Sequence, residues 1–281
     1  MILNSIFFGA IIFSIRKIAI FFSSREKLVV NFRKNIQMNL VELLFFSTVY
    51  FIGEFISEKI QIVEMNYFFL ALVIIPLFLS FDFFLKPYYY NFFDKKSERL
   101  FNVEEFILKK IGIKIRVYKI STNDLNMYAT GILNESKSIL IGGKMLNLLT
   151  KDELYNILYH EIGHLRKNHL LVLYLINVGV MICYFFSALL MHPIFLSFSL
   201  FFEGLFVFCH GMVLGLFLVV VPGAIQKKLE LSADREAIKY TSKNSFISTL
   251  NKLNSLSNGR MDRKSINYPT LSERIKNVEE S

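Results

Sequence analysis

Two long apolar stretches, residues 170–192 and 194–222, constrain the fold of this 281-residue chain more than any other feature. Each is long enough for a helix that crosses the roughly 30 Å hydrocarbon core of a bilayer, and only Pro193 separates them. With 53% hydrophobic and only 20% charged residues, the chain is too apolar for a soluble enzyme of this length. The sequence therefore predicts a multi-span membrane protein. Three further apolar stretches occupy residues 1–22, 39–56 and 63–85.

Lysine and arginine alternate in number along the segments between these stretches. Residues 23–38 hold four, 57–62 hold one, 86–169 hold 14 and 223–281 hold 11, whereas the turn at Pro193 holds none. Because cytoplasmic segments of membrane proteins are enriched in these residues, the alternation predicts that residues 86–169 and 223–281 lie together in the cytoplasm. The formal charge of +9 does not indicate nucleic acid, because the basic residues form no patch interleaved with exposed aromatics.

Residues 160–164 read His-Glu-Ile-Gly-His, the smallest arrangement from which a hydrolytic zinc site can be built. Positions i and i+4 of a helix share a face, so His160 and His164 can bind one tetrahedral metal ion. Glu161 then faces the remaining coordination position, where a water molecule would bind. The alternative interpretation is an ordinary helix with two histidines.

Short elements are predicted around this motif. Residues 97–111 suit an amphipathic helix, and the alternating residues 113–118 and the run 137–141 are typical of strands. Thr150 and Glu153 form a capping box, which predicts a helix that begins there and continues through both histidines.

A third protein ligand is needed, and chain geometry narrows the choice. The motif helix is expected to continue into the apolar stretch near Leu170, which would place the metal roughly 9 Å above the membrane boundary. The chain returns near Pro222, and Glu230 then lies roughly 12 Å beyond that boundary if the segment is helical. We therefore expect Glu230 as the third ligand, and Asp234, on the same face, as a group that orients an imidazole.

Other polar residues are weaker candidates. His169 follows His164 at a spacing that is neither i+3 nor i+4, and His192 is expected at the far end of the hairpin. Glu203 and His210 could meet on one face of the last apolar stretch. Either a packed pair or a place on a substrate path would explain them.

The string HEIGHLRKNH at 160–169, followed across the predicted hairpin by ELSADREA at 230–237, resembles HtpX-type and CAAX-prenyl-protease-type integral-membrane zinc metallopeptidases. Two further segments resemble that family, NMYATG at 126–131 and YPTLSERI at 268–275. The resemblance covers about residues 97–281. It implies a mainly α multi-span membrane protein with a small α+β cytoplasmic zinc-metallopeptidase domain of the gluzincin-like kind.

Carried over by position, the resemblance implies that one Zn²⁺ per chain is bound by His160, His164 and Glu230. It also implies that Glu161 is the catalytic base and that Asp234 supports the site.

Residues 126–131 are implied to form an edge strand along which an extended peptide lies, a role consistent with backbone recognition; the alternative is a plain core strand. The residues implied to contact substrate or the oxyanion are Asn126, Tyr128, Tyr268 and Arg274. Tyr268 stands where the family usually has histidine, so the phenol would have to donate in its place.

The predicted organisation has four regions. They are an N-terminal membrane region with two or three spans at 1–85, a cytoplasmic catalytic part at 86–169, a transmembrane hairpin at 170–222 and a second catalytic part at 223–281. The stretches 1–22 and 39–56 could instead lie on the membrane surface.

The expected function is cleavage of membrane-associated or cytoplasm-exposed polypeptides by a zinc endopeptidase of the cell membrane, in quality control. Dedicated maturation of a pheromone, bacteriocin or lipidated peptide is the alternative. Two other classes compete, namely a non-catalytic zinc-binding membrane regulator and a transporter. Structural zinc usually has four protein ligands, and transporters show repeats that are absent from this sequence. The sequence indicates no oligomeric state.

Overall fold

The structure, a computed structural model, describes residues 43–44, 47–48, 98–120, 125–195 and 200–281. The predicted spans at 1–22 and 63–85 lie outside the described residues, as does most of the one at 39–56. Of two compact units in the chain, the larger consists of Asp82–Asn177 and Phe208–Ser281. All residues of the candidate site belong to this unit.

A four-stranded sheet has the strand order β1-β2-β4-β3. The strands are β1 (Glu98–Arg99), β2 (Arg116–Ile120), β3 (Met127–Thr130) and β4 (Ser138–Gly142). β2 and β4 pair in parallel, whereas β1 pairs antiparallel to β2 and β3 antiparallel to β4. β4 is buried at all five positions, as expected for an interior strand that is covered on both faces. β3 is left at the edge of the sheet.

Helices dominate the described chain from residue 98 onward. They are α1 (Phe101–Ile111), α2 (Gly143–Leu148), α3 (Lys151–Arg166), α4 (His169–Phe195), α5 (Leu200–Ala237), α6 (Lys243–Leu256) and α7 (Leu271–Glu279). The expectation of a mainly helical protein with a small mixed part is thereby confirmed, whereas the multi-span arrangement stays a prediction.

One apolar core joins the sheet to the helices around it. α3 packs against β3 on one side and α6 on the other. The fully buried side chains of this core come from α1, the sheet, α3, α6 and α7, and include Ile107, Val117, Ile139, Ile141, Leu158, Ile162, Phe246, Leu250 and Val278. The motif helix, which carries His160 and His164, is therefore packed against both the sheet and α6.

The predicted element boundaries differ from the observed ones at the start of the domain. The helix expected at 97–111 begins only at Phe101, because Glu98 and Arg99 pair with Lys119 and Tyr118 of β2. The strand expected at 113–118 begins at Arg116, where its ladder with β4 starts. Tertiary pairing, which alternation in one segment does not reveal, sets both boundaries.

The motif helix does not continue smoothly into the next one, and that expectation was wrong. α3 ends at Arg166 and α4 begins at His169, with a bend of 51° between them. Asn168, at the break, has a φ of 53°, the left-handed conformation that asparagine tolerates better than most residues. The side chain of Lys137 donates to Asn168 Oδ1 at 2.9 Å and links this corner to the residue preceding β4.

Within the described ranges, no single helix passes a test of length and apolarity for crossing a membrane. The bent pair Lys151–Arg166 and His169–Cys183 passes it jointly, by length and composition. The side chains of His192, Glu203 and His210 lie outside what the structure describes, so the two interpretations of Glu203 and His210 stay predictions.

Two glycines allow close contacts within the larger unit. A Cβ added to Gly163 of α3 would lie 3.1 Å from Glu236 Cβ and 3.2 Å from Ala233 Cα of α5. A Cβ at Gly223 would lie 2.3 Å from Asn267 Oδ1 and 2.7 Å from Ile266 Cγ2. The absence of a side chain at Gly163 allows α5 to pack closely against the motif helix. The absence of one at Gly223 allows the loop that leads into α7 to pack closely against α5.

Candidate metal centre

α3 is begun by a complete capping box. Glu153 N donates to Thr150 Oγ1 at 3.4 Å, and Thr150 N donates to Glu153 Oε2 at 2.7 Å. Two otherwise unsatisfied backbone donors are thereby bonded. The predicted capping box is confirmed, and it fixes where the turns of the helix fall, so that His160 and His164 project from one face one turn apart.

Three side chains predicted as ligands converge in the structure. His160 Nε2 lies 3.2 Å from His164 Nε2 and 3.2 Å from a carboxylate oxygen of Glu230, while His164 Nε2 lies 3.6 Å from the other oxygen of Glu230. One ligand atom from each residue can be chosen so that all three lie within 4.8 Å of one another. All three side chains are largely buried, with 6–13% of their surface exposed.

The donor set fits a zinc ion. Ligand atoms about 2.0–2.1 Å from a tetrahedral zinc ion lie about 3.3–3.4 Å from one another, and the observed separations of 3.2 to 3.6 Å bracket that value. Two imidazoles and a carboxylate are also one of the ligand combinations that leave the fourth position of a catalytic zinc open.

His160 is held from behind by a buried ion pair. Its Nδ1 lies 2.8 Å from Asp234 Oδ1, and Asp234 is completely buried. Arg274 of α7 donates from Nε to Asp234 Oδ2 at 2.8 Å and from its terminal nitrogen to Oδ1. An Nδ1–H that donates to Asp234 leaves the lone pair of His160 on Nε2, directed at the other two ligands.

Glu161 contacts the edge strand. The backbone N–H of Ala129 donates to Glu161 Oε2 at 2.8 Å. On the opposite side of β3, Asn126 O accepts from Gly142 N at 2.9 Å, and the antiparallel alternation assigns Tyr128 and Thr130 to bonds with β4. The outward edge of β3 therefore faces the helix that carries Glu161.

The charges of the site balance one another. Burial alone would lower the pKa of His160, but hydrogen bonds to Asp234 and Glu230 outweigh it and raise that pKa to about 10. Burial would raise the pKa of Glu230, but the two histidines hold it well below its usual range. The raised pKa of His160 and the lowered pKa of Glu230 thus have one shared cause, the attraction between the imidazole and the carboxylate.

The net pKa shifts of Asp234 and Glu161 have opposite directions. Burial would raise the pKa of Asp234, but the Arg274 cation outweighs it and keeps that pKa below the ordinary value. For Glu161, burial dominates and raises the pKa, although the neighbouring histidines act in the opposite direction. Asp234 thus stays a carboxylate, while Glu161 is the carboxyl more readily protonated.

Tyr268 lies close enough to Glu230 and Glu161 for their charges to act on its phenol. Its hydroxyl end is desolvated, and this, with the charge of Glu230, raises the pKa of the phenol to about 12 even though the residue is 52% exposed overall. A side-chain hydrogen bond links it to Gln226 of α5. Asn126 Nδ2 donates to the Tyr128 hydroxyl at 3.0 Å. Tyr128 is in β3 and Asn126 directly precedes that strand, whereas Arg274 lies behind His160.

Sequence reasoning missed two contacts. His169 Nδ1 lies 3.0 Å from His164 Nδ1, and Gln226 bonds Tyr268. His169 is buried, and burial, followed by the charges of His164 and Lys167, lowers its pKa to about 4. The asparagine at 168 was the available signal, because a residue that tolerates a positive φ indicates a helix break.

Comparisons with known proteins agree with this geometry. Residues 95–281, more than half of the chain, match the model of peptidase family M48. A protease HtpX homolog of Bacteroides fragilis (strain YCH46) is 28% identical over 89 residues, which are 31% of this chain and 28% of that protein. CAAX prenyl protease 1 of Saccharomyces cerevisiae is 29% identical over 106 residues, which are 36% of this chain and 22% of that protein.

The fold has a solved counterpart. The crystal structure of S. mikatae Ste24p aligns with a TM-score of 0.63 at 20% identity and covers 90% of this chain and 66% of that chain. The matched segments span less than a third of the length of the two sequence relatives. Together the matches confirm the resemblance to HtpX-type and CAAX-prenyl-protease-type enzymes that the two motifs predicted.

Proposed function

Because the chain belongs to peptidase family M48, we propose that it is a membrane-embedded zinc endopeptidase that cleaves extended segments of membrane-associated or cytoplasm-exposed polypeptides. One observation carries this proposal. Glu161 lies next to the cluster of His160, His164 and Glu230 and is bonded to the outward edge of β3. A base, a metal-binding cluster and a peptide-binding edge are thereby adjacent.

His160, His164 and Glu230 would hold one Zn²⁺. When bound, zinc acts as a Lewis acid toward the peptide carbonyl and lowers the pKa of water toward about 7. The Asp234–Arg274 pair fixes the ring of His160 through Nδ1, so the geometry of the first ligand is set before any metal arrives. Removal of a group that orients a metal ligand typically weakens metal affinity by about 10- to 100-fold.

Glu161 handles the protons of the reaction. Burial raises its pKa above the ordinary value, which suits a group that first accepts a proton from the attacking water and then delivers it to the departing amine. The Ala129 N–H holds Oε2 at 2.8 Å, which leaves the proton transfers to Oε1. The same bond fixes the distance between the base and the edge strand.

β3 aligns the substrate. An extended peptide beside this edge would pair with the outward backbone groups of β3 that Glu161 does not hold, through hydrogen bonds that do not depend on sequence, while side pockets set preference. Tyr128 and Asn126 border this edge and would contact substrate side chains. Tyr268, whose phenol stays protonated at neutral pH because its pKa is about 12, is the proposed hydrogen-bond donor to the oxyanion.

Localisation follows the charge distribution of the sequence. We place the site at the cytoplasmic face of the cell membrane in a multi-pass protein, because residues 86–169 and 223–281 carry 14 and 11 Lys and Arg residues. The proposed regions are those of the sequence prediction, with 1–85 and 170–222 in the membrane. A topology reporter fused after Ser281 that reads extracellular would contradict this placement.

The test of catalysis uses Glu161→Gln. The variant keeps the size and one carbonyl acceptor of the side chain but lacks the base, so we expect normal zinc content and a loss of cleavage on the order of 10²-fold or more. Glu135→Gln, at an exposed position in the turn before β4, is the matched control and should retain full activity. Proteolysis by zinc-loaded Glu161→Gln at the wild-type rate would rule out the assignment.

The same variant separates two biological roles. We favour quality control, in which many membrane polypeptides accumulate when Glu161→Gln replaces the wild type in cells. Accumulation of one peptide precursor would instead indicate dedicated maturation. Normal processing of every membrane polypeptide, together with bound zinc, would favour a non-catalytic regulator.

A further inference from the structure

His169 touches one proposed ligand on the side away from the metal cluster. Its Nδ1 lies 3.0 Å from His164 Nδ1, with the ring centroids 5.0 Å apart and the planes inclined by 81°. His169 is only 3% exposed. This is the counterpart of the contact between His160 Nδ1 and Asp234, except that the acceptor is an imidazole and not a carboxylate.

The contact exists only because the helix breaks. In a continuous helix, five residues turn through about 500°, which would place His169 about 140° away from His164. The bend of 51° between α3 and α4 and the left-handed Asn168 return His169 to the face of His164. The hydrogen bond from Lys137 Nζ to Asn168 Oδ1 holds this corner to the residue preceding β4.

Proton positions follow from the distances. Two Nδ1 atoms 3.0 Å apart form a hydrogen bond only when one of them carries the proton and the other does not. His164 Nε2 points toward His160 and Glu230, and a metal ligand needs an unprotonated Nε2 there. The proton of His164 is then on Nδ1, and His169 accepts it with the lone pair of its own Nδ1.

We propose that His169 is a positioning residue for the metal centre: it accepts the Nδ1–H of His164 and so fixes the tautomer and the ring orientation that direct Nε2 at the metal. This inference rests on the proposed function, because it needs a metal bound by His164. The two ligands are thereby supported unequally, His160 by a charged acceptor and His164 by a neutral one. A neutral acceptor adds no further negative charge to a site that already contains Glu161, Glu230 and Asp234.

The test measures zinc affinity by chelator competition on the purified full-length protein. His169→Phe retains a ring but has no acceptor, and we expect its zinc Kd to rise by about 10- to 100-fold. His169→Asn places a carboxamide oxygen near the position of Nδ1, and we expect it to restore the Kd to within a few-fold of wild type. Equal losses in the two variants, or a wild-type Kd in His169→Phe, would overturn the proposal.

A second measurement does not depend on the variants. The chain has only five histidines, so selective ¹⁵N-histidine labelling of the zinc-loaded wild type gives a simple spectrum of ring nitrogens. His169 should show an unprotonated Nδ1 and a protonated Nε2, and His164 a protonated Nδ1. The reverse assignment at His169 would defeat this inference alone, whereas a wild type that binds no zinc would defeat the proposed function as well.

Discussion

The two chain segments that build the site contribute in different ways. Residues 98–169 supply a sheet, the motif helix and Glu161, whose carboxylate is held by a backbone N–H. Residues 223–281 are helical with loops and supply charged side chains, namely Glu230, Asp234 and Arg274. In the proposed function, the first segment would set where a peptide and a metal ion lie, and the second would set the charge around that ion.

Charged contacts also link the two segments beyond the site. Glu236 of α5 is nearly buried and accepts from Arg166 of α3 at 3.0 Å. Lys252 of α6 reaches Glu153 at the start of α3 at 2.6 Å. The apolar core is shared between the segments, so a change in these ion pairs tests charge separately from packing.

The largest effect is expected when the second segment loses its metal ligand. Glu230→Ala should lower zinc affinity on the order of 10³-fold or more, because the about 10–16 kcal/mol of apparent binding energy at structural zinc sites depends on a complete ligand set. Metal analysis after dialysis against a weak chelator measures it. Glu279→Ala, at an exposed residue of α7, is the control and should keep its zinc. Full zinc occupancy of Glu230→Ala would refute the assignment.

The next prediction concerns groups that hold a proposed metal ligand in place without binding the metal themselves. Arg274→Leu leaves the Asp234 carboxylate buried beside His160 without its cation, and breaking a buried pair in this way typically costs about 3–5 kcal/mol of stability. Thermal unfolding in detergent measures the loss. Arg274→Leu combined with Asp234→Asn removes the unpaired charge and should recover a large part of it. If the loss of stability in the double variant equals the sum of the losses in the two single variants, the two residues act independently.

A smaller, pH-dependent effect is expected at the contact between α3 and α5. Burial would raise the pKa of Glu236, but its bonds with Lys239 and the charges of Arg166 and Lys167 outweigh it and keep that pKa below the ordinary value. A carboxyl whose pKa is lowered on folding stabilises the fold above its unfolded pKa, and this contribution disappears as the pH falls through the folded pKa. Glu236→Gln should therefore cost about 1.5–3 kcal/mol at pH 7.

Thermal unfolding of the wild type and Glu236→Gln across an acidic pH series measures this effect. The difference between the two proteins should shrink as Glu236 of the wild type becomes protonated. A difference that is unchanged at every pH would mean that packing, and not charge, links Glu236 to α3.

The smallest effect is expected at the outer contact. Lys252→Met removes the ion pair with Glu153, whose side chains are 35% and 21% exposed, and partly exposed pairs contribute about 0.2–1 kcal/mol. The unfolding midpoint should shift by no more than a loss of about 0.2–1 kcal/mol would produce. Zinc affinity should stay at the wild-type value. A marked loss of zinc would show that the α3 terminus and the metal site are coupled.

Local signals explain what the sequence could predict. The capping box at Thr150 and Glu153 and the i, i+4 histidines depend on neighbours along one helix, and both are present in the structure. Glu230 and Asp234 were predicted from an assumed height above the membrane, and in the structure both lie beside His160. Glu230 and Asp234 lie four residues apart in α5 and so share one helix face, whether or not the motif helix continues into α4.

The contacts that could not be predicted all join distant side chains. Arg274 was expected near substrate, but it lies bonded to Asp234, and no pattern in α7 specifies that partner. The sequence prediction ranked His169 low as a ligand because a continuous helix would not bring it next to His164. The left-handed Asn168 at the helix break nevertheless places the two side chains in contact. Backbone periodicity predicts which face a residue occupies, whereas the partner on that face depends on tertiary packing.

If the chain has the proposed activity, the bond between Glu161 and Ala129 bears on which proteins it could cleave. An edge strand binds only a peptide segment that is already extended, because the backbone donors and acceptors of a helix are hydrogen-bonded to one another. A stably folded membrane helix would therefore be resistant, and a segment that has lost its helical structure would be exposed to the base. Selection would then operate on conformational stability before it operates on sequence, so damaged proteins would be distinguished from intact ones at the moment of binding.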